Sequence, residues 1–125
     1  MPGVKTTLEY LKANNYKIAI GTSSNVQLMN TVIKTLQIAP YFNAVCSAQF
    51  LQYGKPHPEV FLNCANELEV IATECLVIED SFNGIIAAKA SQMKVLAVPD
   101  EENKNNPKFI IADYKLNSLE EFITI

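Results

Sequence analysis

The sequence predicts an α/β fold, built as a three-layer, doubly wound parallel sheet. Short apolar runs, typical of strands buried on both faces, alternate with longer amphipathic segments typical of helices. This alternation favours parallel strands joined by helical crossovers. Of the 125 residues, 49% are apolar and 18% are charged, which is enough for one packed core. We therefore expect a single core domain over residues 1–125.

The first half of the chain contains two predicted helices and two predicted strands. In order they are a helix over 4–14, a strand over 17–22, a helix between 24 and 40, and a strand over 44–46. Ser24 with Gln27 has the spacing of a capping box at the start of the second helix. The apolar stripe of that helix consists of Leu28, Val32 and Leu36.

The second half of the chain continues the same alternation. In order we expect a loop over 47–56, a helix over 58–68, a strand over 75–78, a helix around 85–89, a strand over 95–98, an edge strand over 110–113 and a final helix. Asn117 or Ser118 is the expected N-cap of the final helix. Cys46 and Cys75 lie in apolar runs, so we interpret them as small core residues.

Charge and composition exclude several classes of protein. A net charge of −3 argues against a nucleic-acid partner, which needs clustered basic residues. No apolar run approaches the roughly 18 residues of a membrane span, and the N-terminus does not read as a signal peptide. Three cysteines and one histidine do not form a usual zinc site. We therefore expect a cytoplasmic protein with reduced thiols and no membrane partner.

Polar residues follow the predicted strands where ligands bind in open parallel sheets, at the carboxyl ends. Three consecutive residues with hydroxyl side chains, Thr22, Ser23 and Ser24, follow the first predicted strand. Hydroxyls beside the free N–H groups of a helix N-terminus suit a phosphate oxygen. A structural alternative is that Ser24 is only an N-cap and Thr22 only ends a strand.

Two carboxylates and one lysine complete the candidate site. Glu79 and Asp80 follow a buried strand, and carboxylate oxygens of this kind suit Mg²⁺. Lys55 precedes Pro56, which restricts its backbone, and its charge could neutralise a phosphate or a carboxylate. Each feature also has an ordinary explanation, since acids favour helix starts and loop lysines are usually solvated.

The three features together resemble the later motifs of the haloacid dehalogenase superfamily. The string Gly54–Phe61, GKPHPEVF, resembles the third motif, and Val77–Ala90, VIEDSFNGIIAAKA, resembles the fourth. Pro2-Gly3-Val4 is similar to the point where the chain re-enters the core after a helical cap. The segment 98–113 also resembles the phosphoglucomutase-like phosphatases, especially those acting on hexose, hexitol or 2-deoxyglucose 6-phosphates.

The resemblance implies roles for individual residues. Thr22 and the backbone N–H of Ser23 would bind the phosphoryl group, and Lys55 would balance charge on the nucleophile and the phosphate. Asp80 would bind Mg²⁺, with Glu79 as its neighbour. The implied activity is a magnesium-dependent phosphomonoester hydrolase acting on a sugar phosphate, because phosphoryl transfer depends mainly on positioning and charge compensation.

Two parts of the family pattern are missing. The first motif carries an aspartate nucleophile and a second aspartate two residues on, but no D-x-D occurs in this sequence. The helical cap that selects the substrate is also absent. The missing strand is central in the family, between the strands over 17–22 and 75–79, and its removal would leave a gap of about 10 Å. We expect a marginally stable, inactive fragment, unless an N-terminal segment or a second chain supplies the strand.

Several alternatives remain open. The chain could be a non-catalytic module that binds phosphate and Mg²⁺, or part of a β-phosphoglucomutase-type mutase. A receiver-like or flavodoxin-like domain shares the alternating pattern, but the strand over 17–22 lacks the acidic residues that a receiver needs. An exposed sheet edge could also serve for self-association.

Overall fold

Parallel strands and helices alternate along the chain, as the sequence predicts. The computed structural model describes residues 2–124, without the side chains of residues 123 and 124. The α-helices are α1 (Val4–Ala13), α2 (Val26–Thr35), α3 (Glu59–Glu67) and α4 (Phe82–Ala90). The strands are β1 (Ala19–Thr22), β2 (Ala44–Ser47), β3 (Leu76–Glu79), β4 (Lys94–Ala97) and β5 (Tyr114–Lys115). A 3₁₀-helix over Leu119–Thr124 closes the described chain.

Helices cover both faces of the sheet, which confirms the three-layer prediction. Val95 and Ala97 of β4 point into a core formed with α3 and α4. Leu96 of the same strand points the other way, into a cluster with Leu119 and with Val4 of α1. These three β4 residues are at most 1% exposed, as expected for a strand buried on both faces.

The sheet is divided into two parts. Among residues 2–124, β1 pairs with β2 in one sheet, and β3, β4 and β5 form another, with every pairing parallel. The inner strands β1 and β3 therefore neither pair with each other nor receive another described segment between them. All four residues of β1 are only half-buried, and Leu76 of β3 is 46% exposed. The predicted absence of a central strand is confirmed.

Two details of α2 differ from the sequence prediction. Asn25, rather than Ser24, is the N-cap, because its side-chain Oδ1 accepts the N–H of Leu28 at 2.7 Å. The predicted apolar stripe is largely exposed, while Met29 is buried. Exposure of the stripe residues is 51% for Leu28, 44% for Val32 and 55% for Leu36. Periodicity identifies the apolar side of a helix but does not determine whether another element covers it.

The last strand was predicted in the wrong place. Residues Pro107–Ile111 form a 3₁₀-helix that begins at a proline, and the short strand β5 follows it at Tyr114–Lys115. The N-terminal capping of the final helix is close to the prediction, since the Glu121 side chain accepts the N–H groups of Asn117 and Ser118. That helix is of the 3₁₀ type.

The cysteines contribute to the core. Cys46 and Cys75 are half-buried and pack against the main apolar cluster, so the prediction that they are small buried core residues was only partly right. Cys64 is buried, and burial with the nearby Cys46 raises the pKa of its thiol to about 12. Among residues 2–124, no helix is long and apolar enough to span a membrane.

One ion pair next to β4 gives the fold a pH dependence. Asp113 accepts hydrogen bonds from the Lys89 ammonium at 2.9 Å and from the Val95 N–H at 2.9 Å. These bonds lower the pKa of Asp113, so the stability they contribute is present above its ordinary value and is lost as pH falls through the folded value.

Asp113→Asn should therefore lower the melting temperature at neutral pH. The difference from wild type should shrink as the pH falls through the lowered pKa of Asp113 in the folded state, because the protonated side chain loses its ion pair with Lys89. Melting curves followed by circular dichroism across this range test the prediction, with the exposed substitution Glu102→Gln as control. A difference that stays constant with pH would contradict it.

Candidate functional site

The carboxyl ends of β1 and β3 face one polar cleft of about 520 Å³. The residues that line it are Thr22, Ser23, Ser24, Lys55, Glu79, Asp80, Ser81, Phe82 and Asn83. The structure thus brings together all five site residues that the sequence predicted, together with Ser24. It does so although β1 and β3 belong to separate sheets, because helix α3 packs against β1 and the loop before α3 reaches Glu79.

The hydroxyl side of the cleft is a turn between β1 and α2. Thr22 Oγ1 accepts the N–H of Ser24 at 3.0 Å, which fixes the turn. Ser47, at the end of β2, donates its hydroxyl to the carbonyl of Ser24, and Gln49 Oε1 accepts the N–H of Val26 at 2.8 Å. Residues at and after the end of β2 therefore fix the turn between β1 and α2 through these two hydrogen bonds.

Lys55 forms the cationic part of the cleft. Its Nζ donates to Glu79 Oε2 at 2.9 Å, and the two side chains are only 11% and 10% exposed. The loop that carries Lys55 is closed by a hydrogen bond from the His57 N–H to the Gly54 carbonyl at 2.9 Å. The Tyr53 and His57 rings stack at 4.9 Å across the same loop. These contacts fix the segment from which Lys55 projects.

Both oxygens of the Glu79 carboxylate have partners on this chain. Oε2 accepts from Lys55, while Oε1 accepts the N–H of Asp80 at 3.1 Å and the N–H and hydroxyl of Ser81 at 3.2 and 3.1 Å. Burial by itself raises the pKa of Glu79, but the Lys55 charge and these hydrogen bonds outweigh it and hold the pKa below its ordinary value. Glu79 is therefore an anion that organises its neighbours.

Asp80 differs from Glu79 in its environment. Burial, together with the adjacent Glu79 carboxylate, raises the pKa of Asp80. With Lys55 as the one cation in the lining, the three charged groups sum to −1. Among residues 2–124, no cluster of three or more His, Cys, Asp or Glu side chains is placed to hold a metal ion. A divalent cation here would rely on Asp80 and on oxygens from a ligand, from water or from another segment.

Ser81, Gly84 and Phe61 also shape the site, although sequence reasoning gave them no role. Ser81 caps α4, since its Oγ accepts the Gly84 N–H at 3.0 Å. A Cβ on Gly84 would lie 2.0 Å from Glu79 Cδ, so glycine is required for that side chain to lie over the helix. The Lys55 ammonium lies 4.8 Å from the centre of the Phe61 ring. Capping chemistry after β3 was the one signal in the sequence that could have identified Ser81.

A second open groove, of about 620 Å³, lies between α2 and the loop after β2. Its lining consists of Val26, Gln27, Asn30, Thr31, Lys34, Gln49 and Phe50. The lining contains no carboxylate and a single charged residue, Lys34. The smaller cleft instead contains Lys55, Glu79 and Asp80, which interact with one another, and we take it as the candidate site.

Comparison with known proteins identifies the family of this chain. The haloacid dehalogenase-like hydrolase family matches residues 1–98. Hexitol phosphatase B of Escherichia coli strain K12 is 38% identical over 121 residues, which are 97% of this chain and 54% of that protein. Fructose-1-phosphate phosphatase of the same strain is 37% identical over 81 residues, 65% of this chain and 43% of that protein.

A solved structure shows the same fold. The putative β-phosphoglucomutase of Thermotoga maritima superposes with a TM-score of 0.90 at 27% identity. The match covers 99% of this chain and 58% of that chain. The present chain thus spans about half the length of the curated relatives it matches.

Proposed function

Since this chain belongs to the haloacid dehalogenase-like hydrolase family, we propose that its cleft binds the phosphoryl group of a phosphomonoester for hydrolysis. The observation that carries the proposal is the convergence of a hydroxyl turn, one buried lysine and two carboxylates on one polar cleft. The similarity to a hexitol phosphatase and a fructose-1-phosphate phosphatase supports a sugar phosphate as the substrate.

Each side chain has a separate task in this proposal. The Thr22 hydroxyl and the Ser23 N–H bind phosphoryl oxygens at the turn between β1 and α2, which lines the cleft. Lys55 supplies positive charge to those oxygens from its position beside Glu79. Glu79 holds Lys55 and Ser81, so its contribution is to orient them. The arrangement stabilises charge without moving a proton at the phosphorus.

Mg²⁺ fits the charge of the cleft. The lining sums to −1, which would repel a phosphate dianion, and the Asp80 carboxyl interacts with the adjacent Glu79 carboxylate. We propose that Asp80 holds Mg²⁺, which, when bound, neutralises negative charge on the phosphoryl oxygens. Glu79 is already engaged through both oxygens, so it supports the site through Lys55 and Ser81.

Turnover needs a nucleophile that this sequence does not contain. No D-x-D occurs in the chain, and no side chain of the cleft combines an activated nucleophile with a base. We propose that residues 1–125 alone bind phosphate with Mg²⁺ but do not turn substrate over. A non-catalytic binding module is the second candidate, and the same missing motif favours it.

Isothermal titration of the purified chain with inorganic phosphate tests the proposal. We expect binding in MgCl₂ and little binding in EDTA, with no release of phosphate from p-nitrophenyl phosphate. Asp80→Asn should abolish the effect of MgCl₂ without lowering the melting temperature, because it relieves the crowding with Glu79 that raises the Asp80 pKa.

The substitution Glu102→Gln, on the exposed segment after β4, is the matched control and should bind like wild type. Absence of phosphate binding at millimolar concentration with MgCl₂ would contradict the proposed ligand. Steady turnover by the chain alone would contradict the proposed need for another nucleophile. Magnesium-dependent binding that survives in Asp80→Asn would contradict the assignment of Asp80.

A further inference from the structure

We propose that Phe61 is a positioning residue for Lys55, in that its ring face holds the ammonium in the cleft with its charge available to a ligand. The expected effect on ligand binding rests on the proposed function, because that function takes the ligand of Lys55 to be a phosphoryl group. The contact between ring and ammonium is a separate claim and can be measured without any ligand.

The geometry of the pair is that of a cation–π contact. The Lys55 Nζ lies 4.8 Å from the centre of the Phe61 ring, within the roughly 6 Å over which such contacts act. Phe61 is 6% exposed, and the Lys55 side chain is 11% exposed. The attraction strengthens when water is removed from the pair, so this buried contact is at the strong end of its range.

The ring is held in this position from both sides. It belongs to the main apolar cluster, together with Val60 and Ala65 on the same helix. On the side of β1 it lies against Gly21, where an added Cβ would be 3.0 Å from Cδ1 and 3.1 Å from Cε1 of the ring. Contacts therefore run from Gly21, next to the phosphate-binding turn, through Phe61 and Lys55 to Glu79.

A ring face suits this position better than a second oxygen would. Lys55 has three N–H donors, and Glu79 Oε2 accepts one of them. Glu79 already balances the charge of the ammonium, so a second carboxylate would make the group net negative, whereas the ring compensates for lost hydration and adds no charge. Lys55 lines the same cleft as Thr22 and Ser23, so its ammonium is within the site proposed for the phosphoryl group.

The test combines a spectroscopic signature with a binding measurement on the full chain. The Hε protons of Lys55 should resonate upfield of those of the other lysines in a ¹H–¹³C correlation spectrum, because they lie over a ring face. Phe61→Leu should remove this shift and weaken phosphate binding in MgCl₂ by about 3- to 30-fold, the range expected for a cation–π contact.

Two further variants separate positioning from packing. Pentafluorophenylalanine at position 61 preserves the ring's shape but reverses its charge distribution, so it should reduce both the shift and the affinity even if Phe61→Leu does not fold. Leu8→Ala, a buried residue of α1 in a separate apolar cluster, tests core truncation and should leave the shift and the affinity unchanged.

The outcomes distinguish this proposal from the proposed function. A wild-type chain without the upfield shift, or a shift that persists in both Phe61 variants, would overturn the contact. Loss of the shift with unchanged phosphate affinity would overturn the positioning role. If wild type shows the shift but binds no phosphate, the proposed function fails, and with it the positioning for a phosphoryl group, while the contact stands.

Discussion

A peptide that supplies an apolar strand ending in D-x-D is expected to stabilise this chain and to give it phosphomonoester hydrolase activity. The reason is that, within residues 2–124, no strand pairs with β1 or β3 along their inner edges, while their carboxyl ends line one cleft. One parallel strand would fill a gap of about 10 Å and pair with both edges. Its final aspartates would then lie at the same end as Lys55 and Asp80.

The stabilisation and the activity are measured separately. At a peptide concentration of 100 times its Kd, binding to the folded state adds about 2.7 kcal/mol, which raises the melting temperature of a domain this size by about 10 °C. Activity should rise from none to magnesium-dependent release of phosphate from p-nitrophenyl phosphate. A hexitol phosphate or fructose 1-phosphate can then be compared as substrate.

Two altered peptides separate binding from chemistry. Replacing the first aspartate with asparagine should preserve the stabilisation and abolish turnover, because the carboxylate nucleophile is lost. A proline in the middle of the strand should abolish both, because it removes a hydrogen bond of the sheet. Equal stabilisation by the proline peptide would argue against strand addition. Dimerisation of the chain without peptide, seen on a sizing column, would instead favour pairing between exposed sheet edges.

Gly84→Ala is expected to displace the Glu79 side chain and so to break its ion pair with Lys55 in the cleft. A Cβ at this position would lie 2.0 Å from Cδ, 2.2 Å from Cγ and 2.2 Å from Oε2 of Glu79. Glu79 cannot simply rotate away, since Lys55 and Ser81 hold its two oxygens. Overpacking of this kind costs about 1–3 kcal/mol in the free energy of unfolding, and phosphate affinity should fall with it.

The double variant Glu79→Ser with Gly84→Ala provides the control for this clash. A shorter side chain at position 79 removes the overlap, so the two substitutions together should destabilise less than the sum of their separate effects. Urea unfolding of wild type, both single variants and the double variant measures this coupling. Additive effects would show that Gly84 matters only through helix propensity, where alanine should stabilise.

The order of elements and the class of fold could be predicted from the sequence because both depend on local pattern. Apolar runs of strand length and helical periodicity predict β4 and α1 without knowledge of any contact. The site residues could be predicted for a related reason, since ligands bind at the carboxyl ends of parallel strands. Residues such as Thr22 and Asp80 lie there by virtue of their position in the chain.

Three features depended on the tertiary structure. The apolar stripe of α2, including Leu28, is exposed. The sequence could not predict this exposure, because periodicity does not specify what packs against a helix. The strand expected over 110–113 lies further on, at Tyr114–Lys115, because a short edge strand is determined by its pairing with β4. The role of Glu79 as the partner of Lys55 depends on a contact between residues 24 positions apart.

The family motifs, the α/β class and the side chains that surround the cleft could therefore be predicted from the amino-acid sequence. Only the folded chain shows which of those side chains are already paired, that Gly84 lies against Glu79 and Phe61 against Lys55, and that the sheet is split between β1 and β3. The physical reason is that local propensity acts over a few neighbouring residues, whereas ion pairing, ring contacts and strand pairing depend on distances that only the folded chain establishes.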